Sequence, residues 1–102
     1  MSQPEYTLRL LRAAEDDLNE IVLYIASDRP SAAEVVANKI EKNLDLLPKH
    51  PMLGRIPKEE ELSRMGYRYL VVENYLIFYT VEESTIYVHR ILHGARDYLS
   101  LF

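Results

Sequence analysis

His89 and His93, with Arg55, Arg68, Arg90, Arg96 and Tyr98, are the side chains of this sequence whose types could carry chemistry. There is no phosphate-binding glycine loop, no clustered metal-ligand pattern and no nucleophile elbow, so neither metal nor cofactor is expected. What such a set could do is metal-free cleavage of RNA. That reaction needs a base for the 2′-hydroxyl proton, an acid for the leaving oxygen, and cations to hold the charge of the phosphorane. Histidine suits the first two roles because its unperturbed pKa lies near ~6.5, and arginine suits the third. Spacing limits the idea: on one strand face His89 and His93 would lie roughly 13 Å apart, too far to serve one phosphate unless the strand ends between them. Each histidine therefore reads either as a working group or as an ordinary surface residue. Arg90 reads as structural, an inward-facing cation that should pair with Asp17 or Glu20 of the first helix, because a buried unpaired charge is costly.

The stretch that must position these residues runs from Gly66 to Gly94, GYRYLVVENYLIFYTVEESTIYVHRILHG. Three runs rich in β-branched and aromatic residues are punctuated by Glu73-Asn74 and Glu83-Ser84, which predicts three antiparallel strands joined by tight hairpins. With two-residue loops, Val72 faces Tyr75 and Glu82 faces Thr85. The period of two then sorts the side chains. Arg68, Leu70, Val72, Tyr75, Ile77, Tyr79, Val81, Ile86, Val88, Arg90 and Leu92 fall on one, mostly aliphatic, core-like face. Tyr67, Tyr69, Val71, Leu76, Phe78, Thr80, Tyr87, His89, Ile91 and His93 fall on the other. The aromatic set Tyr67, Tyr69, Phe78 and Tyr87 could stack bases or form the floor for a partner helix, and exposed aromatic patches favour the second.

The rest of the chain supplies the packing for that sheet. At 102 residues and 48% apolar, with no run approaching the roughly 18 apolar residues of a membrane span, the chain is expected to be one soluble domain over 1–102. Cysteine is absent, and the start MSQPEYTLRL lacks the apolar core of a signal peptide, so the cytoplasm is the expected compartment. The net charge of −4 argues against a general nucleic-acid binder. Charge is unevenly spread: up to Leu47 nine acids face five bases, and beyond it seven face seven. A small basic patch from Lys49, Arg55, Lys58, Arg64, Arg68 and Arg96 can therefore form in the second half.

Glu5 to Leu11 alternates well enough for a short strand. Ala14, Leu18, Ile21, Val22 and Ile25 then recur at spacings of three and four, which predicts an amphipathic helix from about Arg12 to Asp28. After Asp28-Arg29-Pro30, the sequence Ser31-Ala32-Ala33-Glu34 reads as a capping box. It opens a second helix with the stripe Ala33, Val36, Ala37, Ile40, Leu44 and Leu47, ending before Pro48. The two helices should form an antiparallel hairpin on the sheet. Leu23, Tyr24 and Val35 lie off its apolar stripes and should remain exposed. Pro48 to Met65 is the one long irregular connection, and such loops are often functional. Ala95 to Phe102 should form at most a turn or two of helix, docked through Tyr98, Leu99 and Phe102.

In this order and spacing, DDLNEIVLYI, HPMLGR, GYRYLVV, NYLIFYTV and VHRILHGARDYLSL make the chain resemble the RelE/ParE superfamily of toxins from type II toxin–antitoxin systems, plasmid stabilisation proteins among them. The resemblance implies an α+β fold of order β-α-α-β-β-β with a short C-terminal helix: a mostly antiparallel four-stranded sheet with a helix hairpin on one face. It also implies a cytoplasmic growth inhibitor bound by a cognate antitoxin, as a homodimer or a toxin–antitoxin heterotetramer. RelE-like members cut mRNA on the ribosome, whereas ParE-like members poison DNA gyrase. Where RelE-like toxins commonly carry an arginine at the start of the middle strand, this chain has Leu76. That departure and the acidic balance lean to the ParE-like side, gyrase being the target. The alternative is a ribosome-dependent mRNA endonuclease (mRNA interferase) with Arg68, His93, Arg96 and Tyr98 as catalytic groups. A third reading is a remnant that only binds antitoxin. Target contacts are expected from Arg55, Arg64, Arg68, His89, His93 and Arg96. Antitoxin contacts are expected from Leu23, Tyr24, Val35, Tyr67, Tyr69, Phe78 and Tyr87.

Overall fold

The amphipathic and alternating patterns resolve into β1 (Thr7–Leu10), α1 (Arg12–Ala26), α2 (Pro30–Leu44), α3 (Glu60–Arg64), β2 (Arg68–Val72), β3 (Tyr75–Glu82) and β4 (Thr85–His93), followed by a 3-10 turn at Leu99–Leu101. These belong to a computed structural model that describes residues 5–102. Residues 1–4, part of the start read as lacking a signal peptide, lie outside the described residues. The sheet order is β1-β4-β3-β2, with β1 parallel to β4 and the other neighbours antiparallel. This is the α+β arrangement expected, with two hairpins and one parallel edge strand.

Two helix ends differ from expectation. α2 begins at Pro30 rather than Ser31, with Arg29 as N-cap and no side-chain cap bond. Proline at the first helical position has φ already set and lacks an N–H that would have had no partner there, so the Ser31–Glu34 capping box does not form. At the other end α2 stops at Leu44, and tighter bonds from Leu46 N–H to Asn43 O and from Leu47 N–H to Leu44 O carry the chain to Pro48.

One sheet face packs on α1 and α2. Ala14, Ile40, Leu44 and Leu47 meet Leu70, Val72, Ile77, Tyr79, Ile86, Val88 and Ile91. Both hairpin loops have two residues, with Val72 opposite Tyr75 and Glu82 opposite Thr85. The loops turn through Glu73 (φ 54) and Glu83 (φ 55) in the left-handed region. Glu73 is also ion-paired with Lys39, which ties the first hairpin to α2.

The face assignment fails beyond Val88, because β4 carries a bulge. Tyr79 lies opposite Val88 but Phe78 lies opposite Arg90, leaving His89 as an extra residue. An inserted residue reverses the alternation after it. Ile91 therefore joins the core across from Ile77, while Leu92, expected in the core, packs on the other face across from Leu76.

The second correction concerns that other face. Instead of standing open, it is covered by α3 and the C-terminal turn, forming a second cluster of Leu62, Tyr67, Phe78 and Leu92 flanked by Tyr69, Leu76, Tyr98 and Leu101. Phe78 is 1% exposed, with the Tyr98 and Phe102 rings each 5.0 Å from its own. Tyr67 is also buried, so neither residue is available to a partner as expected. The reason lies in the long connection: its charged run contains the short helix that turns Leu62 onto the aromatic face. Of the tail residues expected to dock, Tyr98 does so, and Phe102 sets its ring against Tyr67 and Phe78 while staying 37% exposed. Leu99 stays exposed.

Candidate functional site

Arg90 and Asp17 illustrate how α1 is fixed to the sheet. β1 ends at Leu10, opposite Val88, so the edge of β4 beyond that point lacks a strand partner. α1 supplies one. Asp17 accepts Arg90 Nε (2.7 Å) and Nη2 (2.9 Å) and, in addition, the backbone N–H of Ile91 (3.0 Å). A bidentate pair at a largely buried position, with the carboxylate also bonded to a strand-edge N–H, is architecture rather than a waiting active site.

Beside this pair, α1 and the ends of β3 and β4 enclose an open groove of about 560 Å³, lined by Glu20, Ile21, Tyr24, Tyr75, His93 and Arg96 among others. His93 stacks edge-on against Tyr75, ring centroids 5.5 Å apart, so the bulge has carried it to the side away from His89. Tyr24 also lines a second hollow of about 430 Å³ at the turn between the helices, with Ile25, Arg29 and Ala32. Tyr24 is thus a ridge between two hollows, 79% exposed, next to Leu23 at 70%. Val35 of α2 is exposed as well. Leu23 and Tyr24 thus present adjoining exposed apolar side chains beside two hollows.

His89 lies on the opposite face with both ring nitrogens engaged, Nε2 with Thr80 Oγ1 (2.8 Å) and Nδ1 with Tyr67 Oη (3.3 Å). Burial pushes its pKa below the usual value, with Glu82 opposing in part. The folded state therefore favours the neutral ring. Above the unfolded value of about 6.5 this costs nothing, and as pH falls through that value toward the lowered folded pKa only the unfolded chain gains a proton, so stability is lost. Urea midpoints should fall as pH drops below about 6.5, the unfolded value, with a shallower slope in His89→Gln. An unchanged slope would place the titration elsewhere.

Tyr98 packs on Phe78 and donates its hydroxyl hydrogen to Glu59 of the loop. That bond, then burial, then the Glu59 charge raise its pKa to about 12, so it is a fixed neutral phenol at physiological pH. Arg68 is also tied into a loop: its Nη1 donates to Gly54 O at 2.9 Å. The same loop is pinned by Tyr79, whose hydroxyl accepts Gly54 N–H (2.7 Å) and donates to Pro51 O (2.9 Å). A Cβ on Gly54 would lie 2.6 Å from the Tyr79 ring, which is why this position is glycine. Arg55 exchanges both backbone bonds with Tyr69, and Arg64 pairs with Glu60 on α3.

The four residues offered as a nuclease set do not converge. Arg68 lies opposite Tyr79 on β3 and His93 opposite Tyr75, roughly 13 Å apart along the strand. Arg96 stays with His93 in the groove, and Tyr98 is on the other face. Tyr69 and Tyr87, offered for antitoxin, are only half exposed. What sequence reasoning passed over is the apolar surface of the loop, where Met52, Leu53 and Ile56 are exposed. Three large apolar residues flanking a glycine in an irregular segment were the available signal. Among the described residues, no three His, Cys, Asp or Glu side chains gather to hold a metal, and no helix is long and apolar enough to cross a membrane.

Comparison with known proteins places these features in context. The family described as ParE toxin of type II toxin–antitoxin system, parDE, matches residues 8–98. No curated protein matches. Among solved structures, the chain is similar to the chromosomal ParDE TA system from P. aeruginosa, with TM-score 0.74, 21% identity, and coverage of 87% of this chain and 96% of that one. It is also similar to the toxin–antitoxin complex RelBE2 from Mycobacterium tuberculosis, with TM-score 0.61, 22% identity and coverage of 87% and 98%. A conserved hypothetical protein from Helicobacter pylori follows, with TM-score 0.56, 18% identity and coverage of 95% and 99%. At these identities the likeness is one of fold.

Proposed function

The chain belongs to the ParE toxin family of type II toxin–antitoxin systems, and from that premise we propose that it is a growth inhibitor that blocks DNA gyrase and is silenced by an antitoxin laid along the Leu23–Tyr24–Val35 ridge. One observation carries the choice of target: the groups a metal-free ribonuclease would need are dispersed over two faces and both ends of the sheet. General acid and base must each come within hydrogen-bond reach of one phosphate. Here Arg68 is bound to loop carbonyls, and Tyr98 is committed to Glu59. The acidic balance of −4 also suits a protein target better than ribosomal RNA, where phosphate neutralisation drives binding.

The antitoxin surface is supported by the exposed aromatic ridge and its two flanking hollows. A disordered segment that folds on contact could fill both at once, as toxin or as part of a larger toxin–antitoxin assembly. Inducing the chain alone while following thymidine and amino-acid incorporation tests the target. DNA synthesis should stop first, with filamentation and supercoiling inhibited in a purified gyrase assay. Immediate arrest of translation with new mRNA 5′ ends would favour the endonuclease, and undisturbed growth would reject both.

A further inference from the structure

A third, smaller groove differs in character from the Tyr24 ridge. It holds about 240 Å³ between Met52 and Ile56 of the loop, Ser63 of α3 and Gly66 just after it, with Val81 and Arg68 at its sides. Pockets for drug-sized ligands run to roughly 300–1,000 Å³, so this one has room for a single large side chain. Met52 is 57% exposed and Ile56 59%. They do not project from a floppy segment. The bonds from Tyr79, Arg68 and Tyr69 described above hold the loop at Pro51, Gly54 and Arg55, so the apolar walls are set before anything binds, which removes much of the ordering penalty of association. Methionine adds a wall that adapts to varied apolar shapes.

The charged side chain that lines the groove is Arg68. Pro48 to Lys58 contains Lys49, Arg55 and Lys58 and no acid. Of the acids that follow, Glu59 is held by Tyr98 and Glu60 by Arg64, while Glu61 has no ion-pair partner among the described residues. Arg68 has no carboxylate partner among the described residues, since its bonds go to the carbonyls of Gly54 and Met52. A guanidinium fixed at the edge of an apolar slot is suited to a carboxylate placed next to an apolar side chain.

We infer that this groove is a docking site for a partner protein segment that inserts one large apolar residue between Met52 and Ile56 and presents an adjacent Asp or Glu to Arg68. It is distinct from the antitoxin ridge and has the opposite charge preference, because the helices bearing that ridge are acidic. RNA fits it poorly: the walls are aliphatic and thioether, and the nearest aromatic, Tyr67, is buried, whereas single strands are gripped by exposed stacking rings along a cationic track.

The test selects a displayed dodecapeptide library on the purified chain and counter-selects on Ile56→Ser. Enriched peptides should share a large apolar residue next to Asp or Glu. In titrations of the 15N-labelled chain, a synthetic peptide of that sequence should shift amides in Met52–Ile56 and Ser63–Arg68, and Arg68→Gln should weaken it about tenfold. Ile56→Ser, at a solvent-exposed site, guards against loss of fold in the arginine variant. Selected peptides without an acidic residue, peptides bound equally by Ile56→Ser, or hexauridine shifting the same amides would each overturn the inference. None of these readouts depends on toxicity, so failure here and failure of the gyrase reading are separately visible.

Discussion

Asp17→Ala should lower stability by about 3–5 kcal/mol, the effect typical of leaving one member of a buried ion pair uncompensated. The side chain of Arg90 is 21% exposed and that of Asp17 9%, so water recovers little of the lost interaction. Two losses coincide. The guanidinium is left without its bidentate acceptor, and the Ile91 N–H, at a strand edge that β1 does not reach, loses the Asp17 acceptor. For a chain of this size the midpoint of thermal unfolding should drop by about 4–8 °C per kcal/mol. Glu20→Ala, on the same helix but exposed, should change stability by less than about 0.5 kcal/mol. Asp17→Leu combined with Arg90→Met should recover much of the loss, because apolar replacements remove the uncompensated charge altogether. Near-parental melting of Asp17→Ala would show that α1 is held to the sheet by the apolar stripe alone.

Phe78→Asp and Leu23→Asp should have opposite fates. Phe78 is sealed between Tyr69, Tyr98 and Phe102. Truncating a buried phenylalanine costs about 3–5 kcal/mol, and a carboxylate without a partner there adds a further desolvation penalty. Total stabilities of domains lie near 5–15 kcal/mol, so this variant should show no cooperative unfolding transition by circular dichroism. Leu23→Asp faces water and should melt within a few degrees of the parent. Its effect should appear in binding instead: about 2 kcal/mol or more of affinity for a co-expressed antitoxin, roughly thirtyfold in Kd. A folded Phe78→Asp would mean that α3 and the tail do not cover the sheet in solution. Unweakened antitoxin binding by Leu23→Asp would remove the ridge from the proposed interface.

Much of the architecture was legible before any coordinates because it rests on local chemistry. The stripe Ala14, Leu18, Ile21, Val22 and Ile25 can be buried only as a helix. Glu73-Asn74 and Glu83-Ser84 between apolar runs can close only as tight hairpins, and these fix the register of β2 with β3 and the start of β3 with β4. The motifs of the sheet and loop, read together, were enough to indicate the family.

What the tertiary structure decided was which side chains see water and which see each other. The extra residue at His89 sends Ile91 inward and separates His89 from His93, and no composition signal announces such a bulge. The charged run Lys58 to Glu61 faces largely to solvent, while Leu62 behind it and Phe102 at the far end of the chain close over Phe78. Covering of that kind depends on contacts between residues distant in sequence, whereas periodicity reports only on neighbours within a few turns. The sequence by itself therefore determined the main helices and strands and the two hairpins, and the long-range packing decided the partner of β1, that the aromatic face is core, that Asp17 rather than Glu20 takes Arg90, and that the Tyr24 ridge and the Met52–Ile56 groove stay open.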